Sequence, residues 1–97
     1  MAQVVYSPEA FADFERIVEF RLQAGPRAAS GVVARIRDAI AILGRHPEIG
    51  RRIDGRMREL VITYGASGYL ALYRYDSKPD VVRILRIRHQ REAGYRD

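Results

Sequence analysis

The spacing of apolar residues predicts two helices in the first half of the chain. Between Pro8 and about Ala24, apolar side chains recur at three- and four-residue steps, which is the period of a helix with one buried face. A second stripe runs from about Arg27 to the break at His46-Pro47. Ser7 can cap the first helix, and Gly25-Pro26 ends it, so we expect a helical hairpin. The apolar positions are Phe11, Phe14, Val18 and Leu22, then Ala29, Val32, Val33, Ile36, Ile40 and Leu43.

The remaining segments have the composition of strands. Residues 3–6 form a short strand candidate before the first helix, and residues 57–64, 69–75 and 81–89 are rich in β-branched and aromatic side chains. The turn-rich, basic stretch 48–56 is expected to be a loop. The order predicts a single α+β domain over residues 1–97: a short strand, a helical hairpin and a three-stranded antiparallel meander, forming one sheet with both helices packed on one face.

The last predicted strand does not alternate cleanly. Strict alternation places Val81, Arg83, Leu85, Ile87 and His89 on one face and Val82, Ile84, Arg86 and Arg88 on the other, so neither face is purely apolar. Either a bulge shifts the register midway, or the final third leaves the core and presents arginines to a groove. Both alternatives place Arg86 and Arg88, with His89 beside them, near one mouth of the sheet.

Charge is distributed unevenly along the chain. Residues 1–50 carry six Arg and six acids, whereas residues 51–97 carry ten Arg and Lys78 against six acids, which accounts for the net charge of +5. Arginine suits planar contacts to phosphate or carboxylate, and a codon bias toward Arg explains the residue type equally well. Such a bias does not explain the asymmetry, which indicates an acidic or nucleic-acid partner for the second half.

Composition also narrows the class of protein. The chain has no Cys, so a disulfide framework and a thiolate metal site or nucleophile are excluded. No apolar run approaches the roughly 20 residues that span a bilayer, and the N-terminus lacks the layout of a signal peptide. We therefore expect a cytoplasmic protein that needs no metal or other cofactor.

Four stretches, taken in order and spacing, resemble the RelE/ParE superfamily of toxins along essentially the whole chain. They are His46-Pro47-Glu48-Ile49-Gly50-Arg51-Arg52, residues 57–62, residues 68–74 and residues 82–92. The resemblance implies the toxin of a type II toxin–antitoxin system, of the plasmid-stabilisation kind, that arrests growth. It also implies a cognate antitoxin whose acidic segment wraps the toxin in a hetero-oligomer. RelE-like members of the superfamily cut mRNA on the ribosome, and ParE-like members inhibit DNA gyrase.

The resemblance assigns candidate residues to each alternative. A metal-independent endoribonuclease of RelE type would use Arg58, His89, Arg91 and Tyr95. Leu60 and Leu70 stand where those nucleases carry basic residues, and this favours the gyrase inhibitor. The residues expected to bind the target or the antitoxin are Arg51, Arg52, Arg74, Arg86, Arg88 and Arg91. A third alternative, a non-toxic basic module that binds nucleic acid, accounts for the charge but not for the helical hairpin.

Aromatic and histidine side chains have simpler structural interpretations. Tyr69, Tyr73 and Tyr75 share one strand face, which favours packing within the sheet over a platform for stacking bases. His89 at a strand end is most simply a half-exposed surface residue, and His46 lies where a helix C-terminus favours a cation.

Overall fold

The computed structural model describes residues 1–95 and forms a mixed five-stranded sheet with two helices on one face. The strand order is β1-β5-β4-β3-β2, in which β1 runs parallel to β5 and all other neighbours are antiparallel. The α+β architecture predicted from the sequence is confirmed. The elements are β1 (Gln3–Tyr6), α1 (Pro8–Leu22), α2 (Pro26–Ala41), a 3-10 turn (Ile42–Gly44), β2 (Arg51–Asp54), β3 (Met57–Tyr64), β4 (Ser67–Asp76) and β5 (Val81–His89).

Several predicted boundaries were wrong. The stretch 48–56, predicted to be a loop, contains β2, a four-residue edge strand whose residues are all exposed. Its polar composition and the nearby turn residues conceal a strand that pairs with β3 on one side only. Helix α1 ends at Leu22 rather than Ala24. Helix α2 begins at Pro26 and ends at Ala41, and a 3-10 turn completes the segment expected to be helical up to His46.

The buried face of α1 differs from the predicted one. Of the four predicted positions, Phe14 packs half-buried against the core and Val18 is half-buried, but Phe11 and Leu22 are 59% and 51% exposed. The buried residues of α1 are Ala10, Asp13 and Ile17. The small side chain of Ala10 allows the helix to lie close to the sheet, and Asp13 is buried because it accepts hydrogen bonds from β5. The prediction followed apolar residues only, and it therefore missed a buried face that has a charged residue at its centre.

The core lies between α2 and the helix-bearing face of the sheet. Val32, Ile36, Ile40 and Leu43 are fully buried, as the α2 stripe predicted, while Val33 is only half-buried. They pack with buried side chains from the three long strands: Ile62, Tyr69, Ala71, Tyr73, Val82, Ile84 and Ile87. The prediction that the tyrosines are packing residues is confirmed for Tyr69 and Tyr73, and Tyr75 packs partly buried against the same core. Neither helix of residues 1–95 is long and apolar enough to cross a membrane.

A bulge in β5 explains its broken alternation. Leu72 is paired with Arg86 and Tyr73 with Ile84, so Leu85 is an extra residue on the β5 side. The first of the two alternatives is therefore confirmed. Val82, Ile84 and Ile87 all contribute to the core, and the arginines of β5 fall on the opposite face. The N-cap residue of α1 supports the bulge, because the Ser7 hydroxyl accepts from the Ala10 N–H at 3.0 Å and donates to the Leu85 carbonyl at 2.9 Å.

Candidate functional site

The face of the sheet opposite the helices, here called the open face, carries most of the strand arginines. Residues are assigned to this face by strand register and alternation, because residues paired directly across neighbouring strands point to the same side of the sheet. The open face comprises Arg51, Met57, Glu59, Val61, Leu70, Leu72, Arg74, Arg83, Arg86 and Arg88. Asp54, which pairs with Met57, and Asp76, which follows Arg74 by two residues, lie on the same face. Five arginines against these two aspartates and Glu59 still leave the strands of this face with a positive excess.

Residues 91–95, here called the tail, fold back over one end of the open face. The Tyr95 hydroxyl donates to Glu59 Oε2 at 2.8 Å, and the guanidinium carbons of Arg88 and Arg86 lie 5.1 and 5.8 Å from the centre of its ring. Arg88 Nη1 also donates to the Glu92 carbonyl at 2.6 Å. As a result, Glu59 is only 5% exposed although no helix covers it.

The Glu59 carboxylate and the Tyr95 phenol set each other's protonation. Burial alone would raise the pKa of Glu59, but hydrogen bonds from Arg51 and Tyr95 outweigh it and hold the pKa below its ordinary value. Burial, and then the hydrogen bond to Glu59, raise the pKa of Tyr95 far above its ordinary value. Tyr95 therefore keeps its proton and acts as a hydrogen-bond donor.

A second buried carboxylate, Asp13 of α1, anchors the bulged part of β5. It accepts from Arg86 Nε at 2.8 Å, from the Ile87 backbone N–H at 2.9 Å and from Arg16 Nη1 at 3.0 Å. Burial would raise the pKa of Asp13, but these hydrogen bonds together lower it. β1 pairs with β5 only as far as Ile84, so the Ile87 N–H has no strand partner on that side and Asp13 accepts from it instead. The same carboxylate fixes the Arg86 side chain.

Asp13 and Glu59 were missed in the sequence. Within residues 1–95 they are the only buried charged side chains. A faint signal was present for Asp13, which lies at helical spacing between Ala10 and Ile17. Glu59 offered none, because an acid alternating with apolar residues in a strand is the ordinary pattern of a solvent-facing position.

A second group of arginines lies at the other end of the open face. Arg83 Nε and Arg74 Nε approach the Asp76 carboxylate at 3.0 and 3.1 Å, and Arg56 pairs with the same carboxylate. Three cations share one anion, so this end also keeps a positive excess.

Three of the four nuclease candidates line one groove, and the fourth does not. His89, Arg91 and Tyr95 lie along a groove of about 1020 Å³ that Arg16, Phe20 and Arg21 of α1 also line. Arg58 pairs across the strands with Tyr73, on the helix-bearing face, and its Nη1 donates to the carbonyls of Glu48 and Gly50 at 3.0 and 2.9 Å. Alternation separates Arg58 from its neighbour Glu59, and so from Tyr95.

His89 is held by both ring nitrogens. The Arg91 backbone N–H donates to Nδ1 at 3.0 Å, so in the neutral ring Nε2 carries the hydrogen and donates to the Ser67 hydroxyl at 3.2 Å. The ring also meets Tyr69 edge to face, with 5.2 Å between the ring centres. These contacts fix His89 at the end of β5, directly before the turn that leads to the tail.

The six predicted binding arginines fall into separate places. Arg51, Arg86 and Arg88 surround the Glu59–Tyr95 contact. Arg74 belongs to the Asp76 group on the same face, and Arg91 is exposed at the groove. Arg52 alternates to the other face with Arg58 and donates to the Gly55 carbonyl at 3.2 Å. Residues 1–95 contain no group of three or more His, Asp or Glu that could hold a metal ion.

Together, the fold and the arginine-lined face define a small basic α+β domain. Residues 4–94 match the profile of the family described as the ParE toxin of the type II toxin–antitoxin system parDE. The chain therefore belongs to the ParE toxin family, within the RelE/ParE superfamily that the sequence resembles, and is the toxin of a type II system.

Relatives and solved structures are similar over nearly their whole lengths. Toxin RelE3 and Toxin RelE2 of Caulobacter vibrioides are both 37% identical, over 92 and 89 residues, covering 95% and 92% of this chain and 98% and 96% of theirs. The toxin fold recurs in the chromosomal ParDE system of P. aeruginosa (TM-score 0.73, 22% identity, 92% and 96% of the two chains). It recurs again in the intact E. coli RelBE complex (0.62, 12%, 90% and 94%).

Proposed function

We propose that this toxin arrests growth by binding and inhibiting DNA gyrase, and that it does not cleave RNA. The observation that carries the proposal is the contact between Tyr95 and Glu59, which lies among Arg51, Arg86 and Arg88 at the end of the open face that the tail covers. It places a buried negative charge, and a phenol that keeps its proton, where a nuclease of RelE type would need cations and a base.

The chemistry of RNA cleavage makes the conflict concrete. Attack by a 2′-hydroxyl requires a group that accepts its proton, a cation for the additional phosphate charge and an acid for the leaving oxygen. Tyr95 cannot accept a proton while its pKa is raised and its hydrogen is given to Glu59. The ionised Glu59 carboxylate would also repel a phosphate placed beside it.

The neighbours of Leu70 add to this argument. Leu70 is 4% exposed and pairs across the strands with Val61 and Arg88, so the open face around it offers one guanidinium, which already holds the tail. Leu60 lies on the helix-bearing face and packs against the core, so a basic residue there would not reach the open face. The electrostatic case against a nuclease therefore depends on Leu70, Val61 and Glu59.

An antitoxin partner is part of the proposal. The open face and the groove carry an excess of arginine, which matches an acidic segment of a co-expressed antitoxin, and similar solved structures come from toxin–antitoxin complexes. We expect a hetero-oligomer whose affinity falls with ionic strength, because exposed arginine–carboxylate pairs are screened by salt. A gyrase target implies action in the cytoplasm.

One observation favours a second candidate, the ribosome-dependent mRNA endoribonuclease. His89, Arg91 and Tyr95 line the same groove as two further arginines, Arg16 and Arg21. The groove therefore holds cations for a phosphate even without Arg58. The similar curated proteins are also named RelE toxins. This candidate requires Tyr95 to leave Glu59 before it could serve as a base.

Induction of the isolated gene, followed by two molecular readouts, separates the candidates. We expect growth arrest with filamentous cells and gyrase-dependent breaks in DNA, and intact mRNA at ribosome-bound codons. Cleaved mRNA with unbroken DNA would support the endoribonuclease instead. Normal growth with soluble, folded protein would support the non-toxic nucleic-acid-binding module.

Paired arginine variants test where the target binds. The double variant Arg88→Ala, Arg91→Ala should weaken toxicity, because it removes one cation from the open face and one from the groove. Arg88 is half-buried under Tyr95 rather than on the surface, so circular dichroism must show that the variant folds. Arg27→Ala with Arg45→Ala removes two exposed arginines elsewhere and should leave toxicity unchanged. Full toxicity in the folded first variant would exclude Arg88 and Arg91 from the mechanism.

A further inference from the structure

Three side chains of the open face enclose the Tyr95 ring, and we call this arrangement the phenol slot. Glu59 accepts a hydrogen bond from the Tyr95 hydroxyl at 2.8 Å. The guanidinium carbons of Arg86 and Arg88 lie within 6 Å of the ring centre, which is the range of cation–π attraction. The slot thus matches both parts of a phenol: a face that attracts cations and an O–H that needs an acceptor.

The sheet, and not the tail, builds the slot. Glu59 and Arg86 flank Leu72 in one cross-strand row of β3, β4 and β5, which sets their separation. Each also has a partner independent of Tyr95, because Arg51 donates to Glu59 and Asp13 accepts from Arg86. These partners hold the two walls in place when the ring is absent.

The occupant is attached more weakly than the walls. Residues 90–95 contain turns and bends but no regular secondary structure. The described hydrogen bonds between the tail and β5 that use a backbone group all involve the first two residues of the tail: Arg88 and the His89 N–H donate to Glu92, the Glu92 N–H donates to the His89 carbonyl, and the Arg91 N–H donates to His89 Nδ1. The ring of Tyr95 lies three residues beyond these anchors. An external ring therefore competes with one that is tethered nearby, which acts as a local competitor of fixed effective concentration.

We propose that the phenol slot is a binding site for a tyrosine side chain of a protein partner, which Tyr95 occupies in the free toxin. A phenol already fills the slot, and the Glu59 carboxylate favours an O–H donor over a ring that carries a phosphate. The slot itself does not depend on the identity of the target. Its use by a partner rests on the proposed function, so the experiment below probes the slot alone with a small molecule.

The test uses p-cresol, which is the tyrosine side chain as a free molecule. Titration into the Tyr95→Ala variant should produce saturable shifts of the backbone amides of Glu59, Leu72, Arg86 and Arg88 in NMR spectra. The wild-type protein should bind at least about tenfold more weakly, because its own ring competes. Tyr95→Phe, which keeps the ring without the hydroxyl, should lie between them. This graded pair of wild type and Tyr95→Phe remains informative if Tyr95→Ala does not fold.

Matched controls test the hydrogen bond. Toluene, which lacks the hydroxyl, should bind Tyr95→Ala about fivefold or more weakly than p-cresol, and adding Glu59→Gln should weaken p-cresol by a similar factor. Glu48→Gln, at an exposed glutamate outside the slot, should leave p-cresol affinity unchanged. Equal binding of p-cresol to wild type, Tyr95→Phe and Tyr95→Ala, or equal binding of toluene and p-cresol, would overturn the proposal. Tighter binding of guanosine monophosphate than of p-cresol would overturn it in favour of a nucleic-acid base.

Discussion

The two buried carboxylates of this domain differ in what they hold together: one connects two elements of the core, and the other connects the sheet to the tail. Asp13 joins α1 to β5 and accepts from a backbone N–H as well as from two arginines. Glu59 joins the sheet to the tail, and its donors are the Tyr95 hydroxyl and Arg51, whose side chain is 63% exposed. Burial of a charge therefore does not by itself indicate a site. The partners decide whether the contact is permanent or can be released.

The largest expected effect belongs to Asp13. Asp13→Ala leaves the Ile87 N–H without its acceptor and removes the buried partner of Arg86, so we expect the free energy of unfolding to fall by about 3 kcal/mol. Chemical denaturation measures this loss. Glu15→Ala, at an exposed position of the same helix, should change stability by less than about 0.5 kcal/mol. A loss below about 1 kcal/mol for Asp13→Ala would mean that the carboxylate does not belong to the fold.

A smaller and local effect is expected for Glu59. Glu59→Gln keeps the shape but removes the charge that accepts from Tyr95 and Arg51, so the free energy of unfolding should fall by about 1 kcal/mol. Hydrogen exchange should accelerate more in the tail than in the core strands, where the change should not exceed the roughly fivefold that the loss of global stability implies. An equal acceleration of exchange in the tail and in β4 would show that Glu59, like Asp13, stabilises the whole fold and does not act mainly on the tail.

The smallest effect is one of pH. The pKa values of Asp13 and Glu59 are both lowered in the folded protein, so each contributes stability that is present above the unfolded value of about 4 and is lost as pH falls through the folded value. Between pH 5 and 3, stability should fall less steeply in Glu59→Gln than in wild type, by less than about 1 kcal/mol over the range. Glu48→Gln provides the control, and an unchanged slope in Glu59→Gln would contradict the assignment.

The same contrast explains what could be predicted from the sequence. The α2 stripe was predicted correctly because its buried positions are all apolar. The failure of alternation in β5 left two alternatives, a bulge or a departure from the core, and the register shift at Leu72 and Tyr73 identifies the bulge. The α1 face was predicted only in part, since Phe14 packs against the core while Asp13, a charged residue, lies at the centre of the buried face. Strand β2 was missed because it is short, polar and exposed.

The candidate site was less predictable than the fold. Glu59 and Tyr95 are 36 residues apart, and no local period relates them. Arg58 and His89 share a resemblance to nuclease residues, but alternation and strand register place them on different parts of the sheet. A contact between a tail and a strand depends on the tertiary path of the chain, which a single sequence does not encode in any local pattern.

The most direct test of the central claim is the supercoiling of relaxed plasmid by purified gyrase in the presence of purified toxin and without ribosomes. We predict that the wild-type toxin inhibits supercoiling and that the folded Arg88→Ala, Arg91→Ala variant inhibits it less. Unimpaired supercoiling at saturating toxin, together with cleavage of ribosome-bound mRNA by the same preparation, would contradict the account.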